Sequence, residues 1–260
     1  MSSSERSRDL GRVPAFVPPL AAVAGVVYSS WILQFLLNPH LDAVNGYVSE
    51  LSATDQHFHG LFSGCDFLAG ALSITVAAAV LRRLRPRGWA LAGWLALLLF
   101  GIFSIGDSLF AMDCAPNSDP TCALRERSQT VSFAHEFHSV TSTLVVMSGI
   151  ISLIALTIAA RRYDRWPVLA RWSWPVMVVE TTTALATLPL MYFGLALGVM
   201  ERIQVTVISV WLFVIAVELY TGRRRARAPG RIVTRPIRRT GNTAVRKAGD
   251  ATVREKATYP

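Results

Sequence analysis

Long apolar runs alternate with short polar segments along most of the chain. Each run has roughly the 20 residues that an α-helix needs to cross a bilayer, and few charged residues lie within the runs. We predict six transmembrane helices, at 16–37, 61–81, 89–112, 135–160, 172–199 and 203–220. The pattern therefore predicts an all-α fold, a polytopic membrane protein built as a bundle of six transmembrane helices.

Composition supports a membrane protein and assigns the excess charge to one segment. Of the 260 residues, 52% are hydrophobic and 17% are charged, which is more apolar than an ordinary soluble domain of this length. The formal net charge is +9, but residues 222–260 contain twelve of the 26 basic residues and two of the 17 acidic ones. The positive charge thus belongs to a tail rather than to the bundle.

The distribution of arginine predicts the orientation, because Lys and Arg accumulate in the cytoplasmic loops of membrane proteins. Arginines precede the first span, and they also lie between the second and third spans and between the fourth and fifth. By contrast, the connection 38–60 has no arginine, and 113–130 has two arginines and three acidic residues. We expect both termini to be cytoplasmic and the protein to lie in the cell membrane. Its parts are a cytoplasmic N-terminal segment at 1–15, a transmembrane domain at 16–221 and a basic tail at 222–260.

The tail is rich in Arg, Gly, Pro and Thr, a composition that predicts disorder because it cannot bury a core. It follows a span directly on the cytoplasmic side, so we expect it to bind the anionic lipids of the inner leaflet. Nucleic acid is not an expected partner, since the basic residues are not interleaved with aromatic ones. The sequence does not indicate an oligomeric state.

Two of the three cysteines, Cys114 and Cys122, bracket a polar loop that contains Pro and Asn, residues that favour a compact turn. The loop lies on the predicted outer side, where disulfides persist. We predict a disulfide between them.

Ionisable residues within the spans are candidates for a site, because burying a charge in a membrane is costly. Asp66, Asp107, His135 and His138 fall at a similar depth near the outer side, the two aspartates roughly 7–9 Å below the surface at a rise of 1.5 Å per residue. The loop between the first and second spans adds Glu50 and Asp55. They belong to a segment, 50–59, that is predicted to cover the site. These six residues are the predicted ligand-binding residues.

Other charged residues in the spans have a weaker claim to function. Glu180 is the deepest carboxylate; it is either a proton or cation relay or a group hydrogen-bonded to neighbouring helices. Glu201 and Arg202 are predicted to lie at an outer helix end, where they pair or extend toward the surface.

Three functions fit the predicted cluster. The preferred hypothesis is a protein that binds or moves a lipid or a small polar ligand in an outer pocket, without catalysis and without a cofactor. The first alternative is a metal-dependent hydrolase, with zinc held by Asp66, Asp107, His135 and His138; no His-Glu-x-x-His motif supports it. The second alternative is a non-catalytic scaffold, in which the carboxylates only accept hydrogen bonds that hold the bundle together.

Several short motifs carry a resemblance to a known family. They are the segment Tyr-Val-Ser-Glu-Leu-Ser-Ala-Thr-Asp at 47–55 and the residues Phe62, Gly64, Asp107, Asp113, His135 and His138. The sequence resembles in these positions the bacterial membrane family catalogued as domain of unknown function 998, over residues 16–221. The resemblance implies a six-helix bundle with a polar outer cluster and no established activity.

Overall fold

The computed structural model describes residues 10–163 and 166–227. Helices, turns and bends make up this part of the chain, without a strand. We label the α-helices in chain order: α1 Val17–Tyr28, α2 Gln34–Leu37, α3 His59–Leu84, α4 Trp89–Leu109, α5 Pro120–Arg127, α6 Phe133–Tyr163, α7 Pro167–Phe193 and α8 Leu197–Arg227. Two 3-10 helices, Ser30–Leu33 and Val48–Ser52, lie in the first third of the chain.

The six longest helices form a ring. Helix α1 packs against α3, α3 against α4, α4 against α6, α6 against α7, α7 against α8, and α8 returns to α1. Successive long helices run in opposite directions, so the ring has two ends. We call the end that carries residues 38–58 and the cysteine pair the disulfide end, and the end that carries Leu10 and Arg227 the terminal end.

Glycine allows the helices to approach closely, as is common in membrane bundles. A Cβ atom added to Gly70 of α3 would lie 2.6 Å from the carbonyl oxygen of Gly101 in α4, and one added to Gly101 would lie 2.5 Å from the oxygen of Gly70. Gly93 of α4 approaches Leu156 of α6 in the same way, with 2.5 Å to the Leu156 Cγ. Only the absence of a side chain permits these crossings.

The middle and the terminal end of the bundle hold the main apolar core. Its largest fully buried side chains come from α4, α6, α7 and α8, with Trp94 and Trp211 each 1% exposed. The outward surfaces of the helices are also apolar: Val26, Leu36, Leu185 and Leu188 are each at least 60% exposed. An apolar exterior around an apolar core is the arrangement that a lipid environment favours.

Among the described residues, five helical segments are long and apolar enough to cross a membrane: Val17–Leu37, His59–Leu84, Trp89–Leu109, Phe133–Tyr163 and Leu197–Arg227. A polytopic membrane protein is therefore supported, while the count of six spans stays a prediction. The fifth predicted span, 172–199, corresponds to α7, a helix of 27 residues that contains Pro175 and Pro189.

The boundary between the last two predicted spans is wrong by several residues. The prediction placed it near Glu201, but α7 ends at Phe193 and α8 begins at Leu197. Gly194 and Ala196 between them adopt φ values of 64° and 54°, the left-handed conformation that ends helices and that glycine favours. Glu201 consequently lies in the second turn of α8 instead of in a loop.

The predicted terminal segments also differ from the structure where it describes them. Leu10 and Val13, assigned to a cytoplasmic segment, are buried in the main core. Helix α8 continues through residues 222–227 of the predicted tail, and a Cβ atom on Gly222 would lie 2.2 Å from the Leu10 Cδ1. Residues 1–9 and 228–260, which complete the predicted terminal segments, lie outside the described residues, as does the unit Pro229–Pro260.

Candidate functional site

A cavity lies within the ring, toward the disulfide end. All six long helices line it, together with the 3-10 helix Val48–Ser52. It offers about 60 Å³ to the centres of water-sized molecules, and because one water needs roughly 10–15 Å³ by this measure, it has room for several waters or a polar group of similar size. Its polar and charged lining residues are Tyr28, Ser30, Trp31, Ser49, Asp66, Ser104, Asp107, Ser142, Glu180, Glu201 and Gln204.

A break in the first span brings part of this lining into place. Helix α1 ends at Tyr28, and the chain continues as the 3-10 helix Ser30–Leu33. The Ser29 hydroxyl donates to the carbonyl oxygen of Gly25 at 3.0 Å, a bond typical of serines that bend helices. Tyr28, Ser30 and Trp31 face the cavity as a result of this change in helical geometry.

Asp107 and His138 form a direct pair beside the cavity. The His138 Nδ1 lies 3.3 Å from the Asp107 Oδ1 and 2.9 Å from the carbonyl oxygen of Phe110. Because a carbonyl oxygen only accepts, the Nδ1 carries the proton. The Thr141 hydroxyl donates to the same Asp107 oxygen at 2.7 Å. Helix α6 therefore supplies one hydrogen-bond donor, the Thr141 hydroxyl, to Asp107, and places the His138 ring beside it. Asp107 itself lines the cavity.

His135 belongs to a different group of contacts. Its Nδ1 accepts a hydrogen bond from the backbone N–H of Asp113 at 3.1 Å, so this nitrogen is unprotonated. Its Nε2 lies 3.9 Å from Glu126 of α5. The two histidines, although three residues apart on one helix, thus use their Nδ1 atoms in opposite roles. His135 is not a lining residue of the cavity.

The predicted zinc ligands are not brought together as a set. Asp107 contacts His138, Asp66 lies across the same cavity, and His135 is held by Asp113. Across residues 10–163 and 166–227, no group of three or more His, Cys, Asp or Glu side chains is placed to hold a metal ion. This geometry does not support the proposed tetrahedral zinc site, which requires at least three protein ligands.

Glu50 does not line the cavity. It holds in place the 3-10 helix Val48–Ser52, which we call the cover of the cavity. Glu50 is 1% exposed; its Oε1 accepts hydrogen bonds from the backbone and side-chain nitrogens of Asn117 at 3.0 and 2.6 Å, and Ser118 donates to the Oε2. Burial raises the pKa of Glu50, an effect that the bonds from Asn117 and Ser118 oppose. Its neighbours Val48, Ser49 and Leu51 line the cavity, so Glu50 connects the cavity cover to the 113–119 loop.

A disulfide closes that loop. Cys114 and Cys122 are bonded, as predicted. The helix α5, which the sequence analysis missed, begins within the bridged segment: Asp119 accepts from the Thr121 N–H at 2.9 Å, and Pro120 occupies the first helical position. An Asp followed by Pro is a recognised start signal for a helix, so this element was detectable.

Asp55, the remaining predicted site residue, is exposed and accepts a hydrogen bond from the neighbouring Gln56 at 2.9 Å. It does not line the cavity. Of the cover predicted at 50–59, Leu51 lines the cavity, together with Val48 and Ser49, which precede the predicted segment.

The sequence analysis underestimated Glu201 and Arg202. Arg202 does not extend to the surface: it is 6% exposed and donates to the carbonyl oxygens of Gly46 and Gly198 at 2.8 and 2.9 Å, and to the Gln34 Oε1. Glu201 accepts from the backbone N–H of Val48 at 2.7 Å and lines the cavity. Both were predicted to lie at a helix end because the predicted span began at residue 203, after them.

Comparison with known proteins identifies a family. The model of the family described as protein of unknown function (DUF998) matches residues 21–218, which confirms the family predicted from the short motifs. No curated protein and no solved structure matches the chain.

Proposed function

The chain belongs to the DUF998 family of proteins of unknown function, and we propose that it binds or moves a small polar ligand or the headgroup of a lipid. The site is the cavity at the disulfide end. The observation that carries this proposal is that six helices and a tethered cover segment place four carboxylates around one cavity, from Asp66, Asp107, Glu180 and Glu201. A bundle stabilised by packing alone has no need of so many ionisable groups around one space in a membrane.

The proposal includes an orientation. We propose that all six long helices cross the cell membrane, with the terminal end in the cytoplasm and the cavity near the outer side. The arginines that the structure describes at 82–87, 161–163, 171 and 223–227 all lie at the terminal end, whereas the disulfide lies at the other. This distribution supports a cytoplasmic terminal end. The basic composition of 228–260 supports binding of this tail to anionic lipids.

Labelling of single cysteines tests the orientation. In a Cys65→Ser background, a membrane-impermeant maleimide added to intact cells is expected to label Ser128→Cys, between α5 and α6, and not Arg87→Cys, between α3 and α4. Labelling of both positions after the cells are opened is the control for reactivity. The reverse pattern in intact cells would overturn the orientation.

The enzyme alternative has less support. The His135 Nδ1 is already occupied by the Asp113 N–H, and the donors required for zinc do not converge within the described residues. The scaffold alternative differs in its prediction: substitutions in the cavity would change stability and nothing else.

Ligand-dependent thermal stabilisation separates binding from scaffolding. The purified protein is heated in detergent with phosphatidylethanolamine, phosphatidylglycerol, glycerol 3-phosphate, choline and a set of amino acids, one probe at a time. We expect at least one probe to raise the unfolding temperature of the wild-type protein and to have a weaker effect on Asp66→Asn.

Asp55→Asn is the matched control, because it makes the same change at an aspartate that lies outside the cavity. Its response to the effective probe should equal that of the wild type. An equal response of Asp66→Asn, or no response of the wild type to any probe, would favour the scaffold.

A further inference from the structure

The charges around the cavity have a single sign. Asp66, Asp107, Glu180 and Glu201 line it, and among the described residues that do so none is Lys, Arg or His. The nearest buried cation in sequence, Arg202, donates its hydrogen bonds to Gln34, Gly46 and Gly198, and its guanidinium lies 6.0 Å from the centre of the Trp31 ring. Arg202 is not itself a lining residue. The four carboxylates of the lining would repel an anion and attract a cation.

Glu180 lacks any group that compensates for its burial. It is 0% exposed, and in the part of the chain that the structure describes neither of its carboxyl oxygens has a hydrogen-bond partner. The hydroxyl of Thr183, one turn along α7, bonds to backbone carbonyl oxygens, including that of Glu180, and not to the carboxyl group. A buried carboxylate without a partner is strongly unfavourable, so its retention in a cavity wall indicates a partner from outside the chain.

A second buried glutamate shows that this fold can satisfy such a group. Glu218 of α8 is 1% exposed, like Glu180. Its Oε2 accepts from the backbone N–H groups of Val168 and Leu169 at 2.7 and 3.0 Å, and its Oε1 pairs with Arg225 at 2.7 Å. Glu218 lies at the terminal end and outside the cavity. Glu180, which lies in the cavity wall, is the glutamate without such partners.

Aromatic rings complete the lining. Tyr28, Trp31, Phe62 and Phe100 contribute to the same walls as the carboxylates. Rings and carboxylates together recognise ammonium groups, since the ring face attracts a cation and tolerates its methyl or methylene groups. A divalent metal requires several convergent donors, and the described residues offer no such group.

We propose that the ligand of this cavity is a monovalent organic cation, an ammonium group with Glu180 as its principal counter-ion. The inference rests on the proposed function, which requires a ligand but does not specify the charge of that ligand. The ammonium is either that of a soluble amine or that of a lipid headgroup, and the cavity recognises the same chemistry in both.

The test compares a cationic probe with an uncharged probe of the same shape and with an anion. Choline and its uncharged isostere 3,3-dimethylbutan-1-ol are titrated into the purified protein at constant ionic strength, with inorganic phosphate as the anionic probe, and binding is followed by calorimetry and by the unfolding temperature. We expect choline to bind, and the alcohol and phosphate to bind at least about tenfold more weakly.

Glu180→Gln keeps the shape of the side chain and removes its charge. We expect it to weaken choline binding about tenfold or more while the protein remains folded, as judged by its own unfolding transition. Glu136→Gln, on the exposed surface of α6, is the matched control and should bind choline like the wild type. A Glu180→Gln protein that is folded and binds choline normally would overturn the role of Glu180.

The lipid arm distinguishes the source of the ammonium. The protein is placed in nanodiscs of phosphatidylethanolamine, phosphatidylcholine or phosphatidylglycerol. If a lipid supplies the ammonium, the first two should stabilise the wild type more than phosphatidylglycerol does, and Glu180→Gln should abolish the difference. Stabilisation by choline alone assigns the ammonium to a soluble amine.

Two further outcomes separate this inference from the proposed function. If phosphatidylglycerol or phosphate stabilises the wild type, and Asp66→Asn abolishes the effect, the cavity binds a ligand but the cationic assignment is wrong. If no probe of any charge binds, both are wrong.

Discussion

The two ends of the bundle treat buried carboxylates differently. At the terminal end, Glu218 is enclosed by two backbone N–H groups and Arg225, in a region where apolar side chains fill the space between the helices. Toward the disulfide end, Glu180 has no hydrogen-bond partner within the described residues and faces a cavity. Within one fold, Glu218 is satisfied by protein groups, whereas Glu180 is the glutamate that we propose to bind a ligand.

The segments that connect the helices also differ between the two ends of the bundle. At the terminal end, few residues separate Leu84 from Trp89 and Tyr163 from Pro167. At the other end, the connections 38–58 and 110–132 are long and carry the cover, α5 and the disulfide. Side-chain hydrogen bonds such as those of Glu50 and Asp113 hold the longer connections in place. The terminal end should therefore depend on packing, and the disulfide end on individual polar and covalent links.

The largest effect is expected from emptying the packed core. Trp211→Ala removes an indole that is 1% exposed, and the resulting void should lower the free energy of unfolding by about 3–5 kcal/mol. Equilibrium unfolding in detergent micelles measures it. Trp89→Ala, at a tryptophan that is 44% exposed, is the control and should have a much smaller effect. Equal losses would show that the core is not packed as described.

Removal of the disulfide should have the next largest effect. The combined change Cys114→Ser and Cys122→Ser frees a loop with a sequence separation of 8, and the added freedom of the unfolded chain should lower stability by about 2–3 kcal/mol. Hydrogen exchange should rise at 113–119 and in Val48–Ser52, and remain unchanged at the terminal end. Cys65→Ser, which alters a cysteine outside the disulfide, should change neither. Exchange that rises uniformly over the bundle would contradict the separation of the two ends.

Overpacking at a helix crossing should come third. Gly101→Ala places a Cβ 2.5 Å from the Gly70 carbonyl oxygen, and because backbone must shift to relieve the clash, we expect a loss of about 1–3 kcal/mol. Gly64→Ala is the matched control on α3, where the added Cβ meets nothing within 4 Å. Thermal unfolding of the two variants compares them. A Gly101→Ala protein as stable as Gly64→Ala would mean that α3 and α4 are further apart than the structure shows.

The smallest effect concerns one polar link of the disulfide end and depends on pH. Burial acts to raise the pKa of Asp113, but bonds from the Ser132 hydroxyl and N–H outweigh it and hold the pKa below its ordinary value of 3.8. A lowered pKa in the folded state stabilises above pH 3.8, and the stabilisation is lost as the pH falls through the folded-state value. Asp113→Asn should thus cost about 1 kcal/mol at pH 7.

The pH dependence is measured as the difference in unfolding free energy between the wild type and Asp113→Asn, from pH 7 to pH 3. The difference should shrink toward the acid end of this range. Asp55→Asn, at an exposed carboxylate, should show little difference from the wild type at pH 7. A difference for Asp113→Asn that is constant over the range would show that its charge is not involved.

Much of the fold was predictable because hydropathy and charge vary along one direction, the membrane normal. The helical segments, the separation of arginines from the cysteine pair and the disulfide itself all follow from the order of residues along the chain. Errors arose where backbone conformation decides the outcome: the left-handed Gly194 shifted the last helix boundary, and the break at Ser29 turned Tyr28 and Trp31 into the cavity.

The sequence by itself determined that this protein is a helical membrane protein of the DUF998 family with an asymmetric distribution of charge. It also predicted a common depth for Asp66, Asp107, His135 and His138, since depth is predicted from position within an apolar run. The tertiary structure alone decided which of them meet, because contact depends on the rotation of each helix about its axis and on the neighbours across the ring. Hence His138 joins Asp107, His135 faces Asp113, and Glu180 and Glu201 enter the cavity.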